Sequence, residues 1–63
     1  MKVIFAPYKY NHINGLPDLD NIMREIDLIS EFYINQKVEY QMQIQLDVNH
    51  TIVLFILKHQ HHE

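Results

Sequence analysis

The segment from Lys37 to Lys58 constrains the fold most strongly, because it contains two different strand patterns in succession. Its first half alternates strictly between apolar and polar residues, and its second half is continuously apolar from Ile52 to Leu57. Strict alternation is typical of a strand with one buried face, and a short apolar run bounded by a turn is typical of a strand covered on both faces. The segment therefore predicts a β-hairpin with strands at 37–48 and 51–58.

Two further elements precede the hairpin. Residues 1–10 are predicted to form a first strand, which Pro7 restricts to a sheet edge because proline lacks the backbone N–H that a central strand needs. Residues 18–35 have the pattern of an amphipathic helix, with Asp18 or Asp20 as its N-terminal cap. The apolar stripe expected to face the core comprises Leu19, Ile22, Met23, Ile26, Ile29, Phe32 and Tyr33. We expect this helix to end in a left-handed residue at Asn35.

These elements predict one α+β domain, in which a helix packs on a three-stranded, mainly antiparallel sheet in β-α-β-β order. Because a fully apolar strand belongs in the centre of a sheet, the last strand is placed between the other two. Parallel pairing of the first two strands is the alternative. A two-residue loop at 49–50 would pair Leu46 with Val53 and Ile44 with Phe55. A three-residue loop would exchange the two faces of the last strand.

The apolar last strand also predicts self-association. One helix covers only one face of the sheet, which leaves Ile52, Leu54 and Ile56 on the other face. A chain of 63 residues buries only about 60% of the surface of its unfolded form, and without cysteine it has no disulfide to compensate. We therefore expect a homodimer, in which two sheets pack through these three residues.

The charge of the chain indicates a protein partner. Five basic and eight acidic side chains give a net charge of −3, which disfavours non-specific binding to a phosphate backbone. Asp20, Asp27 and Glu31 on the outer side of the helix, flanked by Asp18 and Glu25, can imitate a row of phosphates and attract a basic surface. The alternative is an ordinary solvated helix face.

Two tyrosines of the first strand are further candidates for recognition. Tyrosine is enriched at recognition surfaces, so Tyr8 and Tyr10 are predicted to contact a partner or to stack on bases. The alternative is that they cover the open end of the core. A regulator that binds nucleic acid is the second function hypothesis, and its basic residues are Lys2, Lys9, Lys37 and Lys58.

Histidines near the carboxyl end are the main metal candidates. In the predicted tail 59–63, His59 and His61 would share one face of an extended strand, with His62 beside them. A zinc site needs four ligands on a fixed scaffold, so the alternative is a solvated tail, and we expect no cofactor. A metal-binding protein is the third function hypothesis.

Catalysis has little support in the sequence. Ser30 and Thr51 are the only hydroxyl nucleophiles apart from tyrosine, and local spacing places no histidine and carboxylate beside either. Gly15 stands alone, which excludes a glycine-rich phosphate loop. We therefore predict a protein that is not an enzyme.

The leading hypothesis is a small acidic homodimeric module that binds and inhibits another protein. Small acidic phage inhibitors of host DNA-processing enzymes share size and charge with this chain. This analogy supports only the class of function, not a relationship to those proteins. The chain shows neither a signal peptide nor an apolar run of membrane length, so we expect a cytoplasmic protein. From this small size and acidity we predict that the protein is a phage-type or mobile-element-type inhibitor of a host protein.

Overall fold

The computed structural model describes residues 2–59, except for the side chain of His59. Its elements are strand β1 (Lys2–Asn11), helix α1 (Leu19–Asn35), strand β2 (Glu39–Leu46) and strand β3 (His50–His59). The strands form one sheet in the order β1-β3-β2, and β3 is antiparallel to both of its neighbours. The predicted α+β fold and the central position of the most apolar strand are confirmed. The alternative, in which β1 pairs with β2, is wrong for the described strands.

The core lies between α1 and the face of the sheet that this helix covers. Its buried apolar residues are Ile22, Tyr33, Val53 and Phe55. The ring of Phe55 stands edge to face with three tyrosine rings, at centroid distances of 5.9 Å for Tyr8, 5.3 Å for Tyr33 and 5.7 Å for Tyr40. Each such pair contributes about 0.5–1.5 kcal/mol beyond the burial of its area. Because the three tyrosines come from β1, α1 and β2, this aromatic cluster joins every element of the fold to β3.

Pro7 lies in an edge strand, as its missing N–H predicts. In an antiparallel pair, alternate residues turn their N–H and C=O groups toward the neighbouring strand. The bond from the His12 N–H to the Asn49 carbonyl (2.9 Å) identifies the even-numbered residues of β1 as those that face β3. Pro7 therefore turns its nitrogen outward, where no hydrogen bond of the sheet is lost.

The hairpin register differs by two residues from the prediction, since Ile44 pairs with Val53 and not with Phe55. Asp47 and His50 close the turn. The Asp47 N–H donates to the His50 carbonyl (2.9 Å), and the His50 imidazole lies 3.1 Å from the Asp47 carboxylate. A shift of two residues leaves every side chain on its predicted face, because side chains alternate with a period of two.

The connection from β1 to α1 contains a tight turn. Asn14 and Gly15 both have positive φ angles, of 53° and 78°, which is the conformation that an Asn-Gly turn favours. The helix then begins at the predicted cap, where the Asp18 carboxylate accepts a hydrogen bond from the Asn21 N–H (3.4 Å). In residues 2–59 no helix is both long and apolar enough to cross a membrane.

At its carboxyl end α1 ends at Asn35, and the left-handed residue that follows the helix is Lys37. Lys37 has a φ of 58°, so the prediction of a left-handed conformation at Asn35 is wrong, although the helix does end there. The N–H of Lys37 donates to the Ile34 carbonyl and the N–H of Val38 donates to the Tyr33 carbonyl, both at 3.0 Å. This is the Schellman pattern, in which the left-handed position is usually a glycine. Lysine adopts this conformation at a cost, because it carries a Cβ atom.

Candidate interaction surfaces

The sheet has one face that α1 leaves uncovered, and this face is named the open face. Alternate residues of each strand point toward it, in rows of three that the strand register defines. From one end to the other the rows are Val3-Lys58-Glu39, Phe5-Ile56-Gln41, Pro7-Leu54-Gln43, Lys9-Ile52-Gln45 and Asn11-His50-Asp47.

Charge on the open face is concentrated at its ends. The three central rows contain apolar residues and a column of glutamines from β2, and Lys9 is their single charged residue. Lys58 and Glu39 occupy one end and Asp47 the other, so the two lysines and two carboxylates of the open face balance. An apolar centre with a polar rim is typical of surfaces that bind other proteins.

The three residues predicted to form a dimer lie together on the open face. Ile52, Leu54 and Ile56 occupy the central strand and are half-buried by their neighbours in the sheet. Phe5, which sequence reasoning missed, pairs with Ile56 and is 63% exposed. A shallow depression of about 660 Å³ lies beside Leu54, and the residues that line it include Pro7, Gln43, Gln45 and Ile52. The apolar surface therefore extends over β1 as well as β3.

The outer side of α1 carries an acidic stripe made of Asp20, Asp27 and Glu31. All three are exposed, and at 3.6 residues per turn they lie within about 40° of one another around the helix axis. Arg24, the basic residue of α1, donates to the Asn21 side-chain oxygen (2.8 Å) and not to a carboxylate. In residues 2–59 no salt bridge neutralises the acidic stripe.

The structure separates Asp18 and Glu25 from the acidic stripe. Asp18 caps the helix, and Glu25 lies on the flank of α1 that faces β1. Burial and, after it, the nearby Glu25 carboxylate raise the pKa of Tyr10. The acidic surface available on the outer side of the helix is therefore smaller than the sequence suggests.

Tyr8 and Tyr10 lie on the helix-covered side of β1 and pack half-buried against the core. The Tyr10 hydroxyl is buried and, within residues 2–59, forms no hydrogen bond of standard geometry, although the Glu25 carboxylate lies near it. Burial, assisted by Tyr8, raises the pKa of the buried Tyr33 to about 12. This placement favours tyrosines that cover the core over tyrosines that contact a partner.

A further apolar surface, which the sequence did not predict, lies between α1 and β2. Met42, Ile44 and Leu46 point to the helix side of the sheet but are 41%, 52% and 64% exposed. Near the carboxyl end of α1, Tyr33 still contacts Tyr40 of β2, with ring centroids 5.9 Å apart. The rising exposure shows that α1 covers β2 progressively less toward Leu46.

Two residues of α1 border the same uncovered region. Leu19 and Met23 lie on the flank opposite Glu25, which is the flank toward β2, and both are exposed. The predicted core stripe is therefore only partly buried, since Leu19, Met23 and Phe32 are exposed. The name β2 groove is used below for the surface formed by Leu19, Met23, Met42, Ile44 and Leu46.

His12 and Thr51 form a hydrogen-bonded pair that sequence spacing did not indicate. The His12 Nε2 lies 3.1 Å from the Thr51 hydroxyl, and its Nδ1 lies 3.1 Å from the Val48 carbonyl. Thr51 is 1% exposed, so its hydroxyl cannot reach a substrate. The pair therefore links β1 to the hairpin turn and does not form a nucleophilic site.

The described histidines do not gather into a metal centre. His50 pairs with Asp47 in the hairpin turn. In residues 2–59 no three histidine, cysteine or acidic side chains are placed to hold a metal ion. His61, His62 and the side chain of His59, on which the metal hypothesis depends, lie outside the described residues.

The lysines of the nucleic-acid hypothesis are dispersed. Lys9 and Lys58 lie toward opposite ends of the open face, and Lys58 shares its row with Glu39. Lys2 belongs to the other face of β1, and Lys37 lies in the turn after α1. These four residues therefore form no common basic surface in the described chain, which gives the hypothesis no geometric support.

Comparison with known proteins gives no relative: no family model, curated protein or solved structure matches this chain. The fold and its surfaces define a small α+β domain with an open apolar sheet face, an acidic helix and an uncovered edge strand.

Proposed function

We propose that the protein is a homodimeric protein-binding module of the cytoplasm, which inhibits or sequesters a protein with a basic surface. The observation that carries the proposal is the separation of charge across the fold. The open face is balanced in charge and apolar at its centre, whereas unpaired carboxylates are concentrated on the outer side of α1. The first kind of surface suits a second copy of the chain, and the second kind suits a basic partner.

The open face has the size of a weak dimer interface. Strands of ten residues are about 33 Å long and three strands are about 14 Å wide, so two copies packed face to face would bury on the order of 1,000 Å². That area is near the lower limit for specific association, so the dimer is expected to depend on protein concentration. Leu54 lies in the middle row and would occupy the centre of the interface.

A dimer of this kind leaves the outer side of α1 free on both subunits. Exposed apolar residues, Leu28 and Ile34, lie beside Asp27 and Glu31 on this helix. Exposed leucine and isoleucine are not expected on a helix face that contacts only solvent. A mixed acidic and apolar face can bind basic side chains through both their charged ends and their aliphatic stems. The more specific form of the proposal is that the partner is a host DNA-processing enzyme. Its basic groove would bind these carboxylates in place of the phosphates of DNA.

The test is capture of the partner by charge-reversed variants. The protein is immobilised, a host extract is passed over it, and each captured protein is identified and its affinity is measured by calorimetry. The double variant Asp27→Lys, Glu31→Lys is expected to lose the partner while its circular dichroism stays unchanged, because both residues are exposed.

The single variants Glu31→Lys and Glu25→Lys form the matched pair, since each changes the charge by the same amount, and Glu25→Lys, on the flank that faces β1, is the control. Capture by the control should persist. Undiminished capture by the double variant would contradict the proposal, and so would an equal loss in the two single variants, which would indicate a response to net charge alone.

A further inference from the structure

We propose that the outward edge of β2 binds an extended segment of the partner protein as a fourth strand of the sheet. The segment carries lysine or arginine at alternate positions. This inference rests on the proposed function and specifies how the partner is held.

The backbone of β2 offers a free edge. The bond from the Asp47 N–H to the His50 carbonyl identifies the odd-numbered residues of β2 as those bonded to β3. The residues that turn their N–H and C=O groups outward are therefore Tyr40, Met42, Ile44 and Leu46. In the described chain no hydrogen bond uses these outward groups. A row of unpaired backbone groups is a template for an added strand.

The other edge of the sheet is blocked. Among the outward-facing positions of β1, Pro7 supplies no N–H, and Lys9 follows at the next outward position. Proline and lysine on an edge strand prevent strand addition. The strand β2 contains neither residue, and its register is regular from Glu39 to Leu46. An added strand is therefore expected at β2 and excluded at β1.

The β2 groove defines which side chains an added strand should carry. Side chains on the helix side of the added strand would lie beside Met42, Ile44 and Leu46, and the acidic stripe of α1 lies beyond the β2 groove, on the outer side of the helix. Lysine or arginine suits this arrangement, because its aliphatic stem packs on the apolar residues while its charged end extends past them into solvent, where the acidic stripe attracts it at longer range. On the other side the neighbours are the glutamines of β2, which suit small polar residues. The recognised pattern is thus an alternation of basic and polar residues.

This mode of binding is compatible with the dimer. Two sheets that pack through the open face cover side chains and leave the strand edges accessible. Each subunit of the dimer would then hold one segment in its own β2 groove. Dimerisation and strand addition can therefore be tested separately.

The probe is an eight-residue peptide of alternating lysine and threonine, which matches the length of β2. A control peptide of the same composition places all lysines before all threonines, and a second control replaces lysine by glutamate. Binding is measured by calorimetry, and protection of the Met42 and Ile44 amides is measured by hydrogen exchange. The alternating peptide is expected to bind about tenfold more tightly than the block peptide and to protect these amides, because only strand addition requires alternation.

Two variants of Ile44 distinguish the contribution of its backbone N–H to peptide binding from that of its side chain. Ile44→Pro and Ile44→Ala both lose the apolar side chain, but only the proline removes an outward N–H, as Pro7 does on β1. We expect Ile44→Pro to weaken binding of the alternating peptide several-fold more than Ile44→Ala does. Asp27→Asn with Glu31→Gln should also weaken it, whereas Glu25→Gln should not.

Equal binding of the alternating and block peptides, or equal effects of the two Ile44 variants, would overturn strand addition. A change of self-association in Ile44→Pro without peptide would also overturn it, since a second copy would then occupy the edge. Capture of a basic partner that is sensitive to Asp27 and Glu31 would survive either result, so failure here is distinguishable from failure of the proposed function.

Discussion

The Nε2 atom of His12 lies 3.1 Å from the buried hydroxyl of Thr51, and the Nδ1 atom of the same ring lies 3.1 Å from the Val48 carbonyl. A carbonyl can only accept, so Nδ1 donates to Val48, and in the neutral ring Nε2 accepts from Thr51. We predict that His12→Ala lowers the free energy of unfolding by about 2 kcal/mol, because it removes two hydrogen bonds and leaves a buried hydroxyl unpaired. Urea denaturation measures this change.

Thr51→Val provides the control for the His12 prediction. Valine has nearly the same shape as threonine and leaves no unpaired hydroxyl, so the double variant His12→Ala, Thr51→Val should be less destabilised than the sum of the two single variants. Additive effects would show that the hydrogen bond between the two side chains contributes nothing to stability.

Lys37, in the turn that follows α1, has a left-handed conformation that costs a residue with a Cβ atom about 1 kcal/mol. We predict that Lys37→Gly raises the free energy of unfolding by an amount of this order, because glycine adopts positive φ without that strain. Lys37→Ala is the matched control, since it removes the same charge but keeps the Cβ atom. Equal denaturation midpoints for the two variants would show that the Cβ atom causes no strain at this position.

The strand pattern predicts which side chains share a face, but not how far a helix covers them. Ile52, Leu54 and Ile56 lie on the predicted face, opposite α1, although the predicted hairpin register is wrong by two residues, because a shift of two residues preserves the alternation of side chains. Alternation does not predict the exposure of Leu46, because that exposure depends on how far α1 extends over β2. Leu19 and Ile22 are both apolar in the sequence, and only packing decides that Ile22 is buried while Leu19 is exposed in the β2 groove.

The roles of the tyrosines and of the turns also depend on tertiary structure. Tyr8 could be assigned to a partner or to the core until the register placed it against Phe55. Asparagine tolerates positive φ better than lysine, so local preference favours Asn35 over Lys37 as the left-handed residue at the end of α1. The hydrogen bonds of the turn after α1 override that preference.

Tyr33 gives the stability a dependence on alkaline pH. Its folded-state pKa is raised from the unfolded value of 10.0 to about 12, chiefly by burial. The folded protein therefore binds the phenolic proton more tightly, so stability is complete below about pH 10 and falls as the pH rises toward 12. We predict that Tyr33→Phe keeps the ring packing and loses less stability over this range than the wild-type protein does.

Urea midpoints measured at several pH values between 9 and 12, an interval that brackets the two pKa values of Tyr33, test this prediction. The other tyrosines and the lysines are common to both proteins, so the difference between the two curves isolates Tyr33. Parallel curves would show that ionisation of this hydroxyl is not linked to folding.

Leu54 lies at the centre of the open face, where a charge should separate the subunits of the proposed dimer without unfolding either one. Its side chain is only half-buried in the protomer, so the longer lysine side chain of Leu54→Lys can extend into solvent. We predict that wild-type protein shows a sedimentation coefficient that rises with concentration, and that Leu54→Lys weakens self-association at least about tenfold. Leu28→Lys, which makes the same change on the outer side of α1, should dimerise like wild type. A wild-type protein that stays monomeric at every concentration, or a Leu54→Lys dimer of unchanged affinity, would remove the open face as the dimer interface.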